Sequence, residues 1–166
     1  VHRAGLSRLL ELPAIYTYQN WEPPRSADVV VTVGRHAQHV IHHPSQHRIH
    51  FFFTPPRWLW DLTHGQWDER NPLARYFLYW YSSKIRNLDI TSVHRFNKVV
   101  GGSELVAKRI QAYYGCDASV AYCPTDTFSY YNGTDNGYFV MLNRIVPEKR
   151  VKMVIEAFNE IEIPLK

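Results

Sequence analysis

The run DVVVTV at residues 28–33 constrains the fold more than any other stretch, because five β-branched residues follow one another with no polar alternation. A half-solvated strand would alternate, so the run predicts a strand buried on both faces of a parallel sheet. Short apolar runs recur at 48–53 (RIHFFF), 98–101 (KVVG), 119–122 (SVAY) and 138–142 (YFVML). Helical patterns separate most of them, and strands alternating with helices predict βαβ units, hence an α/β fold with a Rossmann-like parallel sheet.

The expected helices carry their own boundary signals. In 71–88 (NPLARYFLYWYSSKIRNL) Asn71 is a natural N-cap and Pro72 suits the first helical position. That segment is aromatic nearly all round; burial between the sheet and a neighbour is the preferred reading, and contact with a membrane the other. Ser103 should cap a helix through Tyr114 with Val106 and Ile110 inward, and Gly115 should stop it. Beyond residue 142, Val151, Val154, Ile155 and Phe158 fall at i, i+3, i+4 and i+7, with Pro147 and Glu148 expected in the first helical turn. At the amino end a short helix to Leu12 should give way to a Pro-interrupted aromatic connector.

Composition sets outer limits. With 166 residues, 45% of them hydrophobic and 14% aromatic, the chain can build a real core. Nineteen basic against fifteen acidic residues give a net charge of +4, too weak and dispersed to argue for nucleic acid but compatible with phosphorylated ligands or an anionic membrane surface. Cys116 and Cys123 form no C-x-x-C motif and read as reduced thiols of a cytoplasmic protein. No run approaches the roughly 18 apolar residues needed to span a bilayer.

Three places could carry chemistry. Six of the nine histidines lie in 34–50, and His39 and His43 would share a helical face, but no carboxylate or cysteine accompanies them and Pro44 ends any helix, so no metal site is expected. After the strand at 48–53 comes TPPRWLWDL, which concentrates Arg57, Trp58, Trp60 and Asp61; Trp faces stack on sugars and charged groups bind hydroxyls. After the run at 138–142 stand Arg144 and Lys149, where a strand's carboxyl end meets a helix start, a place that favours an anion such as a diphosphate.

The string YFVMLNRIVPEKRVKMVIEAF resembles the start of the nucleotide-sugar domain of retaining GT-B glycosyltransferases, the large group often called family 4. TPPRWLWD and VVGGSELVAKRIQAYYGCDASVAYCPTDTF are also similar to segments of that family, so the resemblance covers roughly residues 28–166. It implies a partial GT-B chain: residues 1–126 as part of an amino-terminal Rossmann-like acceptor domain, 127–137 as a linker, and 138–166 as the start of the donor domain. It implies transfer of a sugar from a nucleotide-sugar to a glycan or lipid-linked acceptor, with Arg144 and Lys149 gripping the donor diphosphate in place of a metal ion. Arg57, Trp58 and Asp61 would then line the acceptor or sugar pocket, in a cytoplasmic protein with peripheral membrane contact.

The sequence departs from that pattern where Phe53 stands in place of the family's usual histidine, Gly102 in place of Asn and Thr125 in place of Val. The Gly-rich first strand and the Glu-x7-Glu segment of such enzymes have no counterpart here, so the expectation is weak activity in isolation and completion by self-association or a complementary chain. A non-catalytic interaction module of the same lineage is the rival reading. His50, three residues before Phe53, should point to the opposite face of its strand and cannot replace the missing imidazole.

Overall fold

The computed structural model of the chain describes residues 10–61, 71–145 and 149–166, which fall into two compact units, Val1–Pro124 and Thr125–Lys166. In the first unit the elements run α1 (Glu11–Gln19), β1 (Val29–Val33), a 3-10 turn (Ala37–His39), β2 (His47–Phe52), α2 (Arg57–Trp60), α3 (Pro72–Val93), β3 (Lys98–Gly101), α4 (Glu104–Tyr114) and β4 (Ser119–Val120). The four strands form one all-parallel sheet in the order β1-β2-β3-β4, in register Val31 to Ile49, Phe51 to Val100 and Val100 to Ser119. The unit is an α/β fold with a Rossmann-like parallel sheet.

Strand order decides which face is covered. Each connection between parallel neighbours is expected to be right-handed, and a sheet that steps in one direction without reversal therefore carries all its connections on one side. The packing agrees. Phe52 of β2 and Val99 of β3 meet Val93 of α3 and Val106, Ile110 and Tyr114 of α4 in a single cluster. The turn at Ala37–His39 joins this side through Gln38 and His39, which reach Asp89 and Ser92 of α3.

The opposite face is the first correction to the sequence reading. Val29, Val31 and Val33 are 53%, 59% and 50% exposed, while Val30 and Thr32 between them are buried. A β-branched run signals compatibility with burial on both faces, yet a sheet wound in one direction brings helices to one face only.

Other expectations meet the structure position by position. Asn71 accepts from the Ala74 amide and Pro72 opens α3; Ser103 accepts from the Val106 amide, and Gly115 closes α4 with φ 67°. Gly101 must be glycine for a further reason: a Cβ there would lie 3.0 Å from the Ala107 amide nitrogen, so β3 could not approach α4 as it does. The expected connector after Leu12 is instead α1, because Pro13 falls in the first turn, where its missing N–H leaves no bond unmade. The start of the expected amino-terminal helix lies outside the described residues. Helix α3 departs from expectation over its first half, where Leu73 and Tyr76 are 79% and 73% exposed, and Phe77, Tyr79 and Trp80 are exposed as well. Its buried residues begin at Tyr81.

The second unit contains a 3-10 turn (Thr127–Ser129) and α5 (Val151–Ile161). The expected strand at 138–142 is reduced to an isolated parallel bridge between Phe139 and Leu165, held by the Lys166 amide donating to the Phe139 carbonyl at 2.9 Å and the Met141 amide donating to the Lys166 carbonyl at 2.8 Å. Phe139 also packs edge-on against Phe158 of α5, with ring centroids 5.3 Å apart. No described residue of this unit is buried, because one helix and a two-stranded contact cannot enclose an apolar face.

Asp89 is the polar centre of the first unit and generates its prediction. Its carboxylate accepts from Gln38 Nε2 at 2.8 Å, Tyr114 Oη at 2.7 Å and Trp60 Nε1 at 3.4 Å. Asp89→Ala strands the buried donors of Gln38 and Tyr114 and the partly buried one of Trp60, and should lower stability by about 2–4 kcal/mol in urea unfolding, whereas Asp89→Asn, which keeps one acceptor oxygen, should lose less.

Candidate functional site

In open parallel sheets, ligands bind outside the carboxyl ends of the strands. Here that rim is built by Phe53 and Thr54 after β2 and by Gly102 and Ser103 after β3. Pro55 and Pro56 stiffen the exit from β2, with Pro56 extended at ψ 94°, and deliver the chain into the single turn of α2. Arg57 and Asp61 then stand four residues apart, Arg57 Nε 2.9 Å from Asp61 Oδ2.

Arg109 of α4 completes the cluster. Its guanidinium lies 4.0 Å from Asp61 Oδ2 and donates to Thr54 Oγ1 at 3.5 Å. Two guanidiniums thus share one carboxylate, the group carries one net positive charge, and all three side chains are only partly covered. Asp61 is engaged as an ion-pair partner, while the arginines keep N–H donors free of it, suited to phosphate or carboxylate oxygens and to sugar hydroxyls. Sequence reading placed Arg57 and Asp61 together and left Arg109 outside the site; the signal was its matched position in VAKRI, but only the fold sets it beside Asp61.

Trp58 is not brought into this cluster. It packs against the buried group of Ile15, Leu59, Tyr81 and Ile85, with the Arg35 guanidinium 6.0 Å from its ring centre. Trp60 is likewise structural, stacked on Tyr113 at 5.1 Å and 4° and bonded to Asp89. An open tryptophan platform for a sugar is therefore absent among the described residues of α2. Phe53 is 60% exposed at the rim and packs edge-on against Phe51, while His50 is fully buried on the other face, its Nδ1 2.7 Å from Thr32 Oγ1.

Arg144 and Lys149 both lie exposed in the second unit. The sequence reading put Lys149 in the first turn of a helix. In the structure α5 starts at Val151 after Arg150, whose left-handed φ of 49° marks the break, so Lys149 precedes the helix. Arg144 follows irregular chain and not a regular strand. Pro147 and Glu148 lie outside the described residues. Lys149 belongs to a 3-10 turn just before α5.

Of the described histidines, His39 and His50 are buried packing groups. His39 is buried with Nδ1 2.8 Å from Ser92 Oγ, whereas His43 bonds Ser45 in an exposed loop, so the two do not share a face. Among the described residues no three histidines, cysteines or acids gather as a metal group would. Burial and the neighbouring Arg35 bring the His36 pKa down to about 4, and burial brings His39 and His50 each to about 3. His39 Nε2 lies 3.7 Å from Asp89 Oδ1, beyond hydrogen-bond reach, and burial pushes the Asp89 pKa up, so the contact is not a strong ion pair at neutral pH.

Two predictions follow from this geometry. Buried His39 and His50 and partly buried His36 are neutral when folded and titrate near pH 6.5 when unfolded, so the unfolded chain binds extra protons as pH falls and the stability they support, full above 6.5, is lost toward pH 4. Asp89, with its raised pKa, acts in the opposite sense at the acidic end. Urea midpoints between pH 7 and 4 should fall with a slope of about two to three protons. Asp61→Ala, by contrast, removes only partly exposed ion pairs and should shift stability by less than about 1 kcal/mol; a larger loss would mark Asp61 as a structural strut.

No protein-family model, no curated protein and no solved structure matches this chain.

Proposed function

We propose that the chain is part of a retaining, GT-B-type glycosyltransferase that moves a sugar from a nucleotide-sugar to a glycan or lipid-linked acceptor. The observation that carries this reading is the Arg57–Asp61–Arg109 cluster at the carboxyl rim of a parallel sheet, built by two of the segments that resemble that family. Ligand sites of such sheets occupy this rim, and guanidiniums paired to one carboxylate favour anionic or hydroxyl-rich ligands. Arg109 joins Arg57 and Asp61 as a candidate for the acceptor side.

In the second unit, Arg144 and Lys149 are the proposed grip on the donor diphosphate. Their charges would stabilise the negative charge that builds on the departing diphosphate as the sugar's anomeric bond breaks. The motif Arg-Ile-Val-Pro-Glu-Lys-Arg supports this role.

A second reading, a non-catalytic module of the same lineage, is favoured by Phe53. An exposed phenyl ring at the rim can neither donate nor accept the hydrogen bonds of the imidazole expected there. Isothermal titration with uridine, guanosine and adenosine diphosphates separates the readings from simple loss of function. The transferase reading expects binding of one of them, weakened roughly tenfold or more by Arg144→Ala or Lys149→Ala through loss of a charge-assisted contact. Absence of binding to every diphosphate would defeat it.

A further inference from the structure

Asparagine is followed by glycine twice in one short stretch, YNGTDNGY at 131–138, as Asn132-Gly133 and Asn136-Gly137. Such a pair can react with itself, because glycine has no side chain to keep its amide nitrogen away from the asparagine carboxamide that precedes it. The reaction needs that N–H unengaged and the carboxamide free to swing onto the nitrogen. Every residue of the stretch is exposed, and residues 131–136 belong to no helix or strand. The two pairs nevertheless differ in how they are held.

At the second pair the Gly137 amide donates to Asp135 Oδ1 at 2.8 Å, a turn closed by the side chain two positions back, and Asn136 Nδ2 donates to the Thr134 carbonyl at 3.1 Å. The nitrogen that would attack is thus bonded through its hydrogen to a carboxylate, which opposes loss of that hydrogen. The carboxamide that would be attacked is tied to the backbone behind it. The first pair has neither restraint. Among the described residues neither the Asn132 carboxamide nor the Gly133 amide has a hydrogen-bond partner. A Cβ added at Gly133 would meet nothing within 4 Å, so the space around it is open.

We propose that Asn132 is a site of spontaneous deamidation and that Asn136 is protected by its turn. The Gly133 nitrogen, its proton taken by solvent base, bonds to the Asn132 Cγ; the bond from Cγ to the side-chain nitrogen breaks, and that nitrogen leaves as ammonia. One water then opens the resulting succinimide ring at either carbonyl. One opening gives aspartate, the other isoaspartate, whose backbone runs through the former side chain. In sum, asparagine and water become a carboxylic acid and ammonia, nothing is oxidised or reduced, and the segment gains one negative charge. The inference stands on residues 131–137 and does not depend on the transferase reading.

The test is incubation of the full chain in warm, mildly alkaline buffer, with tandem mass spectrometry to separate positions 132 and 136 within one peptide and isoaspartyl methyltransferase labelling to detect the rearranged product. Conversion at Asn132 is expected to run several-fold ahead of conversion at Asn136. Unfolding in guanidinium chloride should bring the two rates together, because the turn is lost. Asp135→Ala should speed conversion at Asn136 several-fold and leave Asn132 unchanged. Gly133→Ala, which meets open space and needs no positive φ, should slow Asn132 several-fold. Both substitutions lie at exposed positions, and unchanged circular dichroism would show that folding is intact. No conversion at Asn132, conversion at Asn136 as fast or faster in the folded chain, a gap that persists in guanidinium chloride, or an unaltered Asn136 rate in the Asp135→Ala variant would each overturn the proposal.

Discussion

Asp89 is the point on which the first unit depends. One carboxylate accepts from Gln38 in the connection between β1 and β2, from Trp60 in the connection between β2 and α3, and from Tyr114 at the end of α4. A buried charge without partners would be costly, whereas one met by several donors fixes those donors in place. Each of the three donors comes from a different connection. The bond set therefore fixes, in one place, how the crossovers lie on the sheet, while the apolar cluster around Ile110 and Phe52 supplies the less directional packing.

The direction in which the sheet is wound accounts for much of what lies at the surface. Because the strands step in order, the connections gather on one side, and the valines of β1 that point the other way remain half exposed. The same winding sets the carboxyl ends of β2 and β3 side by side. Thr54 from one and Arg109 from the helix that follows the other then come within reach, with Asp61 between the two arginines. The rim cluster is a product of topology: its members are up to 55 positions apart in the chain.

The second unit obeys a different balance. Its helix has a well-separated apolar stripe, and Phe139 and Phe158 meet across it, yet nothing described in the unit is buried. A parallel strand pair needs both a crossover and a covered face, and a single bridge at Phe139 and Leu165 offers little of either. Arg144 and Lys149 are both exposed in this unit.

Local signals determined a good deal of this protein: the caps Asn71 and Ser103, the stop at Gly115, the parallel strands and the inward positions Val106 and Ile110 follow from side-chain chemistry within one or two turns. The inward place of Asp89 came only with the structure, since the expected helix ended at Leu88 and α3 continues to Val93. What the tertiary structure alone decided is which apolar faces are covered. Valine runs and aromatic stripes record only that burial is favourable; the handedness and order of the connections determine where a covering element lies. For the same reason Trp58 and Trp60 became packing groups while Arg109, unremarkable along the chain, reached the rim beside Asp61.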